Sequence, residues 1–148
     1  MPYVELHARS AFSFLRGGSL PEHLADAAAN AGLNGLALCD RNGLYGAPRL
    51  FSKRAELGIR PLVGAELAMQ DGSVVPVLVE SRIGYQNLSR LITQAQLRSP
   101  KGESRVTWEE IPEFAEGLIA LTGDEEGPLR RSLAREDSKS LSKNLLYS

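Results

Sequence analysis

The chain has 148 residues, enough for one domain that buries roughly 70% of its unfolded surface. Hydrophobic residues make up 43% and charged residues 24%, which is ordinary for a soluble globular protein. The net charge of −1, from 17 Lys+Arg against 18 Asp+Glu, supplies no bulk attraction toward nucleic acid.

Residues 3–7 predict a short strand, and a loop over residues 10–18 ends in Gly17-Gly18. Ser19-Leu20-Pro21-Glu22 has the form of a capping box with proline in the first helical turn. The helix it opens carries Leu24, Ala27, Ala28 and Ala31 on one face, and Gly32 supplies its stop. Gly35-Leu36-Ala37-Leu38-Cys39 is a continuous apolar run ending at Asp40, the pattern of a parallel strand covered on both faces. A second helix is expected over residues 47–57, closed by Gly58, and a third strand over residues 61–67, ending around Glu66. Asp71-Gly72 signals a hairpin, and the strand after it, residues 74–79, contains Pro76, which predicts an edge or a bulge. Residues 83–98 predict a long amphipathic helix with Leu88, Leu91, Ile92 and Ala95 on one face. Residues 99–104 are a polar loop, Thr107-Trp108-Glu109-Glu110 is a second capping box, and residues 117–121 are an apolar strand. The stretch after residue 130, rich in Ser, Lys, Asp and Glu, predicts a polar tail or a poorly packed helix over 131–148. The succession predicts an α/β fold with a mainly parallel sheet of ~5 strands, too few to close a barrel.

Cys39 is the sole cysteine, so no disulfide forms within the chain, as suits a reducing compartment. Residues 1–7 lack the basic and apolar regions of a secretion signal, and no apolar run reaches membrane-span length. The expectation is a cytoplasmic protein with no membrane partner.

His7, Asp40 and Glu66 stand at or just after the ends of three successive strands. In α/β folds that end of the sheet is where ligands bind. One imidazole and two carboxylates from separate strands could converge on a divalent metal such as Zn, Mn or Mg, which activates water for attack on a phosphate. Plainer readings stand beside this one. Asp40, before Arg41-Asn42-Gly43, could organise a tight turn, Glu66 could pair with an arginine, and His7 could be a satisfied core histidine. The second histidine, His23, falls in the first helix and is read as a surface residue. Phe12 and Phe14 alternate with Arg9 and Arg16 in the first loop. That mixture could be a nucleic-acid surface, but packing of both rings into the end of the barrel is the favoured reading. Ser10 and Ser13 lack the His–Asp neighbours of a nucleophile, and Arg16-Gly17-Gly18-Ser19 lacks the spacing and lysine of a phosphate loop.

Four segments carry a resemblance to a known family. Leu6-His7-Ala8-Arg9-Ser10 with Phe12-Ser13-Phe14-Leu15-Arg16-Gly17-Gly18-Ser19 resembles the first motif of the PHP (polymerase and histidinol phosphatase) domain of bacterial C-family DNA polymerase III α subunits. Ala37-Leu38-Cys39-Asp40-Arg41-Asn42-Gly43-Leu44-Tyr45-Gly46 resembles the second, and Pro61-Leu62-Val63-Gly64-Ala65-Glu66-Leu67 the third. Glu116-Gly117-Leu118-Ile119-Ala120-Leu121-Thr122-Gly123 is similar to a later strand. The segments occur in the family's order over residues 2–130, and the Phe-Ser-Phe-Leu-Arg-Gly wording is nearest the error-prone branch. The resemblance implies part of a distorted β/α barrel.

In that family the motifs are His-x-His, Asp-His and Glu, and they bind a cluster of metals. His7, Asp40 and Glu66 match, but Arg9 and Arg41 stand at the two other histidine positions. Arginine stays protonated and offers no lone pair, so it cannot ligate a metal, and two cations oppose binding of a third. They could instead neutralise Asp40 and Glu66 and replace the metal's structural role, or contact a phosphate. The resemblance thus implies an N-terminal module of an error-prone polymerase α subunit, working in replication and translesion repair, structural in role and with a degenerate metal site. Its partners would be the rest of such a polymerase or other replication and repair proteins, with DNA contacted only indirectly. Self-association is a further expectation, because an open sheet leaves edges to be covered. The alternative is a metal-dependent phosphoesterase or 3′–5′ exonuclease built on His7, Asp40 and Glu66. Residues 138–148 have no counterpart in these motifs, as a reading frame altered near residue 130 would produce.

Overall fold

The computed structural model describes residues 3–136. Its elements are β1 (Val4–Ala8), α1 (Pro21–Asn30), β2 (Gly35–Arg41), α2 (Ala47–Ser52), α3 (Arg54–Leu57), β3 (Arg60–Ala68), β4 (Val74–Val79), α4 (Arg82–Leu97), α5 (Ile111–Phe114) and β5 (Leu118–Ala120). They build a five-stranded sheet in the order β1-β2-β3-β4-β5. β1, β2 and β3 are parallel, and β4 and β5 each join antiparallel. The α/β reading holds, with a mixed open sheet. Because β4 reverses the direction once and β5 reverses it again, β5 runs the same way as β1–β3. The C-terminal ends of four strands therefore meet at one end of the sheet.

Strand alternation sorts the side chains onto two faces. One face carries Ala65, Leu67, Val75 and Val77, which pack with Leu88, Leu91, Ile92 and Ala95 of α4 and Phe114 of α5. On the same face, Leu36 and Leu38 pack with Ala25 and Ala28 of α1 and Leu50 of α2. The opposite face carries the smaller cluster of Ala37, Cys39 and Leu78, flanked by Leu62 and Leu121. The functional groups described below lie beyond this thinner layer, at the strand ends.

Several local signals work as expected. Leu33 N–H bonds the Ala28 carbonyl and Gly32 N–H the Ala29 carbonyl, with Gly32 at φ 73°, which is the Schellman ending a glycine permits. Gly72, at φ 83°, completes the β3–β4 hairpin. Ser81 caps α4 by accepting the Gly84 N–H.

Others differ. Ser19 does not cap α1; the cap position is Leu20, and the Ser19 carbonyl instead accepts the Ala11 N–H at 2.8 Å. The helix expected over residues 47–57 is two helices. The Ser52 hydroxyl donates to the Arg49 carbonyl and Lys53 N–H tightens onto Leu50, so the regular ladder stops there. Pro76 sits in an internal strand rather than an edge. Its carbonyl accepts the Leu121 N–H, and its missing N–H faces β5 just past the last ladder pair, Val77↔Ala120, where the pairing with β5 stops. Residues 128–136 are helical, and the rest of the expected polar tail, from residue 137, lies outside the described residues. No helix among the described residues is long and apolar enough to cross a membrane.

Candidate metal centre

His7 and Glu66 come together as the strand ends predict. Glu66 is fully buried, and both oxygens of its carboxylate accept hydrogen bonds. Oε1 receives His7 Nε2 at 2.6 Å and Arg9 Nε at 2.5 Å, and Oε2 receives Arg41 Nε at 2.8 Å. The pairing Arg41↔Glu66 in the β2–β3 ladder puts those two side chains on one face. Burial alone would raise the Glu66 carboxyl, but the bonds from His7, Arg41 and Arg9 outweigh it and hold the pKa at about 2. An ionised carboxylate only accepts, so His7 Nε2 carries the proton of the shared bond.

The ion pairs extend outward through the loop after β5. Arg9 Nη2 donates to Asp124 Oδ2 at 2.5 Å, and Arg41 Nη2 to Glu126 Oε2 at 3.1 Å. Arg16 grips Glu126 with both terminal nitrogens. The bond from Arg9 holds the Asp124 carboxyl below the usual range. Three arginines thus answer three carboxylates. Asp124 and Glu126 were not singled out in the sequence. The rule that found His7 and Glu66 would have reached them, because β5 ends at the same edge of the sheet.

Asp40 does not join this group. It pairs with Ala65 in the ladder, so its side chain points to the helix-covered face, opposite Glu66. There it accepts Ser10 N–H at 2.7 Å, the Ser10 hydroxyl at 2.7 Å and the Ser13 hydroxyl at 2.6 Å. All three residues are buried, and Asp40 anchors the loop that follows β1. Phe12 and Phe14 of that loop do not pack inward. They are 41% and 83% exposed, because Ser10 and Ser13 take the inward positions. His23 is exposed on α1.

His7, Glu66 and Asp124 each offer a ligand atom, and these atoms lie within 4.8 Å of one another. By donor chemistry that set suits one divalent ion. The neighbouring cations do not suit it. Arg9 bridges Glu66 and Asp124 with Nε and Nη2, taking the position between the two carboxylates that an ion would need. Arg41 occupies the other Glu66 oxygen. Arg9 and Arg41 thus bond the same carboxylate oxygens that a metal would take.

The PHP domain family model matches residues 5–147 and takes in the polar stretch after residue 130. Among curated proteins, the chain is 41% identical over 145 residues to an error-prone DNA polymerase of Mycobacterium tuberculosis, covering 90% of this chain and 13% of that one. It is 44% identical over 116 residues to one of Corynebacterium efficiens, covering 78% and 11%, and 39% identical over 120 residues to one of Rhodopirellula baltica, covering 81% and 10%. The chain therefore spans about a tenth of the length of these relatives. Among solved structures it resembles a protein named as a metal-dependent phosphoesterase from Bifidobacterium adolescentis, with a TM-score of 0.50 and 22% identity over 76% of this chain and 43% of that one. It also resembles an amidohydrolase from Chromobacterium violaceum, with a TM-score of 0.53 and 24% identity over 64% and 33%. Those two likenesses concern the fold. On the strength of the family match, which covers nearly all of its residues, the chain belongs to the PHP domain family.

Proposed function

We propose that the chain is the N-terminal PHP module of an error-prone DNA polymerase III α subunit, structural in role, with arginines in place of a metal. The observation that carries this reading is the pairing of Glu66, a buried carboxylate whose two oxygens hold His7, Arg9 and Arg41. The identity to error-prone polymerases over most of the chain supports the choice of parent protein. A guanidinium supplies the positive charge that a buried carboxylate needs and, unlike a metal, offers no site where water is activated. In this reading the network ties the ends of β1, β2 and β3 to the loop after β5, and the partner is the remainder of a C-family polymerase.

The second reading is a metal-dependent phosphoesterase or 3′–5′ exonuclease, favoured by the grouping of His7, Glu66 and Asp124. Those three residues would hold the ion, which would supply an activated water, and Asp40 would position the neighbouring loop. The two readings separate on one assay. The purified chain is incubated with bis-p-nitrophenyl phosphate and with a 3′-labelled oligonucleotide in Mn2+, Zn2+ or Mg2+. The structural reading predicts no turnover above the metal-only control. Hydrolysis that is abolished by chelation and by Glu66→Gln would overturn it.

A further inference from the structure

We propose that Glu5 guards the open edge of the sheet, and that two copies of the chain pair edge to edge through β1 once its carboxylate is removed. The strand order leaves β1 and β5 at the two margins of the sheet. β5 is three residues long, short enough to blunt its edge. β1 is five residues long, and on it Leu6 is 40% exposed, with Tyr3 just before it 58% exposed. Such an edge offers backbone groups to any extended chain, and a second copy brings an identical edge. Identical edges laid antiparallel about a two-fold axis are self-complementary. The self-association expected of an open sheet would therefore run through β1.

Two features of β1 oppose that pairing. The first is a bulge. Between the ladder pairs Glu5↔Leu36 and Ala8↔Leu38, Leu6 and His7 stand against the single residue Ala37. A bulge raises the local twist, turns the edge away from a flat partner and takes one residue out of the regular ladder. The second is the use made of the amide at this bulge. His7 N–H donates to Glu5 Oε1 at 2.9 Å, within its own strand rather than across the sheet. Glu5 Oε2 accepts the Tyr3 hydroxyl at 3.2 Å, so the carboxylate is held along β1 from both sides. Its bonds go to its own strand and to Tyr3, not to the arginines around Glu66. A strand approaching this edge must displace the carboxylate from His7 N–H and take its charge out of water. The two-fold symmetry of the pair imposes that cost on both copies.

The test is light-scattering mass and amide hydrogen exchange of the wild type, Glu5→Thr and Glu5→Gln, from micromolar to near-millimolar concentration. Thermal unfolding of each is recorded alongside. Threonine suits a strand and frees the His7 N–H, whereas glutamine keeps an acceptor and removes the charge. The wild type is expected to hold the monomer mass throughout. Glu5→Thr is expected to rise toward twice that mass, with protection gained over residues 3–8 and not over residues 118–120. Glu5→Gln is expected to follow at higher concentration, and it carries the decision if the threonine variant does not fold. A folded Glu5→Thr that stays monomeric overturns the proposal. A wild type that dimerises with protection gained over residues 3–8 overturns it as well, and so does a variant dimer protected over residues 118–120 instead.

Discussion

Glu66 is where charge, burial and hydrogen bonding act on one side chain. Its pKa, held at about 2 against an ordinary 4.5, makes it a source of pH-dependent stability. The folded-state value is depressed, so the contribution is complete above the unfolded value and is lost as pH falls from about 4.5 toward 2. A shift of that size corresponds to about 3 kcal/mol for a fully buried group. Glu66→Gln should cost ~3–5 kcal/mol at neutral pH, since it leaves two arginines without their buried partner. The same variant should also flatten the acid limb of a stability–pH curve measured by urea unfolding between pH 2 and pH 6. An acid limb unchanged by the substitution would place the linkage in other carboxylates. At this scale the sequence was half legible. Strand ends located His7 and Glu66, but position along a strand does not reveal which face a side chain takes. Asp40 and Arg41 are neighbours, and the two-residue period sends them to opposite faces. Arg41 and not Asp40 therefore meets Glu66.

Among the elements, α4 meets the turn before β5 backbone to backbone at Gly84 and Gly117. Gly84 lies in the first turn of α4, and a Cβ there would stand 1.8 Å from the Gly117 carbonyl oxygen. That carbonyl also accepts the Glu80 N–H at 2.9 Å, so it is not free to move. Helix propensity alone predicts that Gly84→Ala stabilises by about 1 kcal/mol. The contact predicts the reverse, a loss of ~1–3 kcal/mol from a forced backbone shift. Thermal unfolding of the variant decides the sign, and a raised midpoint would show that the turn yields. Periodicity located α4 to within one residue, because its apolar stripe matches its packing against β3 and β4. It did not foresee the break between α2 and α3, which rests on a hydroxyl turning back to Arg49. The cap expected at Ser19 failed for a related reason. Its carbonyl is committed to the loop, and the loop's geometry comes from Asp40, 21 positions away along the chain.

For the molecule as a whole, the sheet gathers four strand ends, and the loops after them meet in a balanced array of arginines and carboxylates. The succession of elements along the chain was legible, because apolar runs, glycine stops and the Asp71-Gly72 turn each mark a boundary. The contribution of the loop after β5 was not, since it depends on β5 returning to the direction of β1–β3. The central claim is that Arg9 and Arg41 stand in for a metal at this end of the sheet. Isothermal titration of Zn2+ into chelator-stripped protein, wild type beside the Arg9→His/Arg41→His double variant, tests it most directly. The account predicts no stoichiometric uptake by the wild type and a gained site in the double variant, whose new imidazoles would join His7, Glu66 and Asp124. Tight binding of one ion per wild-type chain, undiminished relative to the double variant, would contradict it.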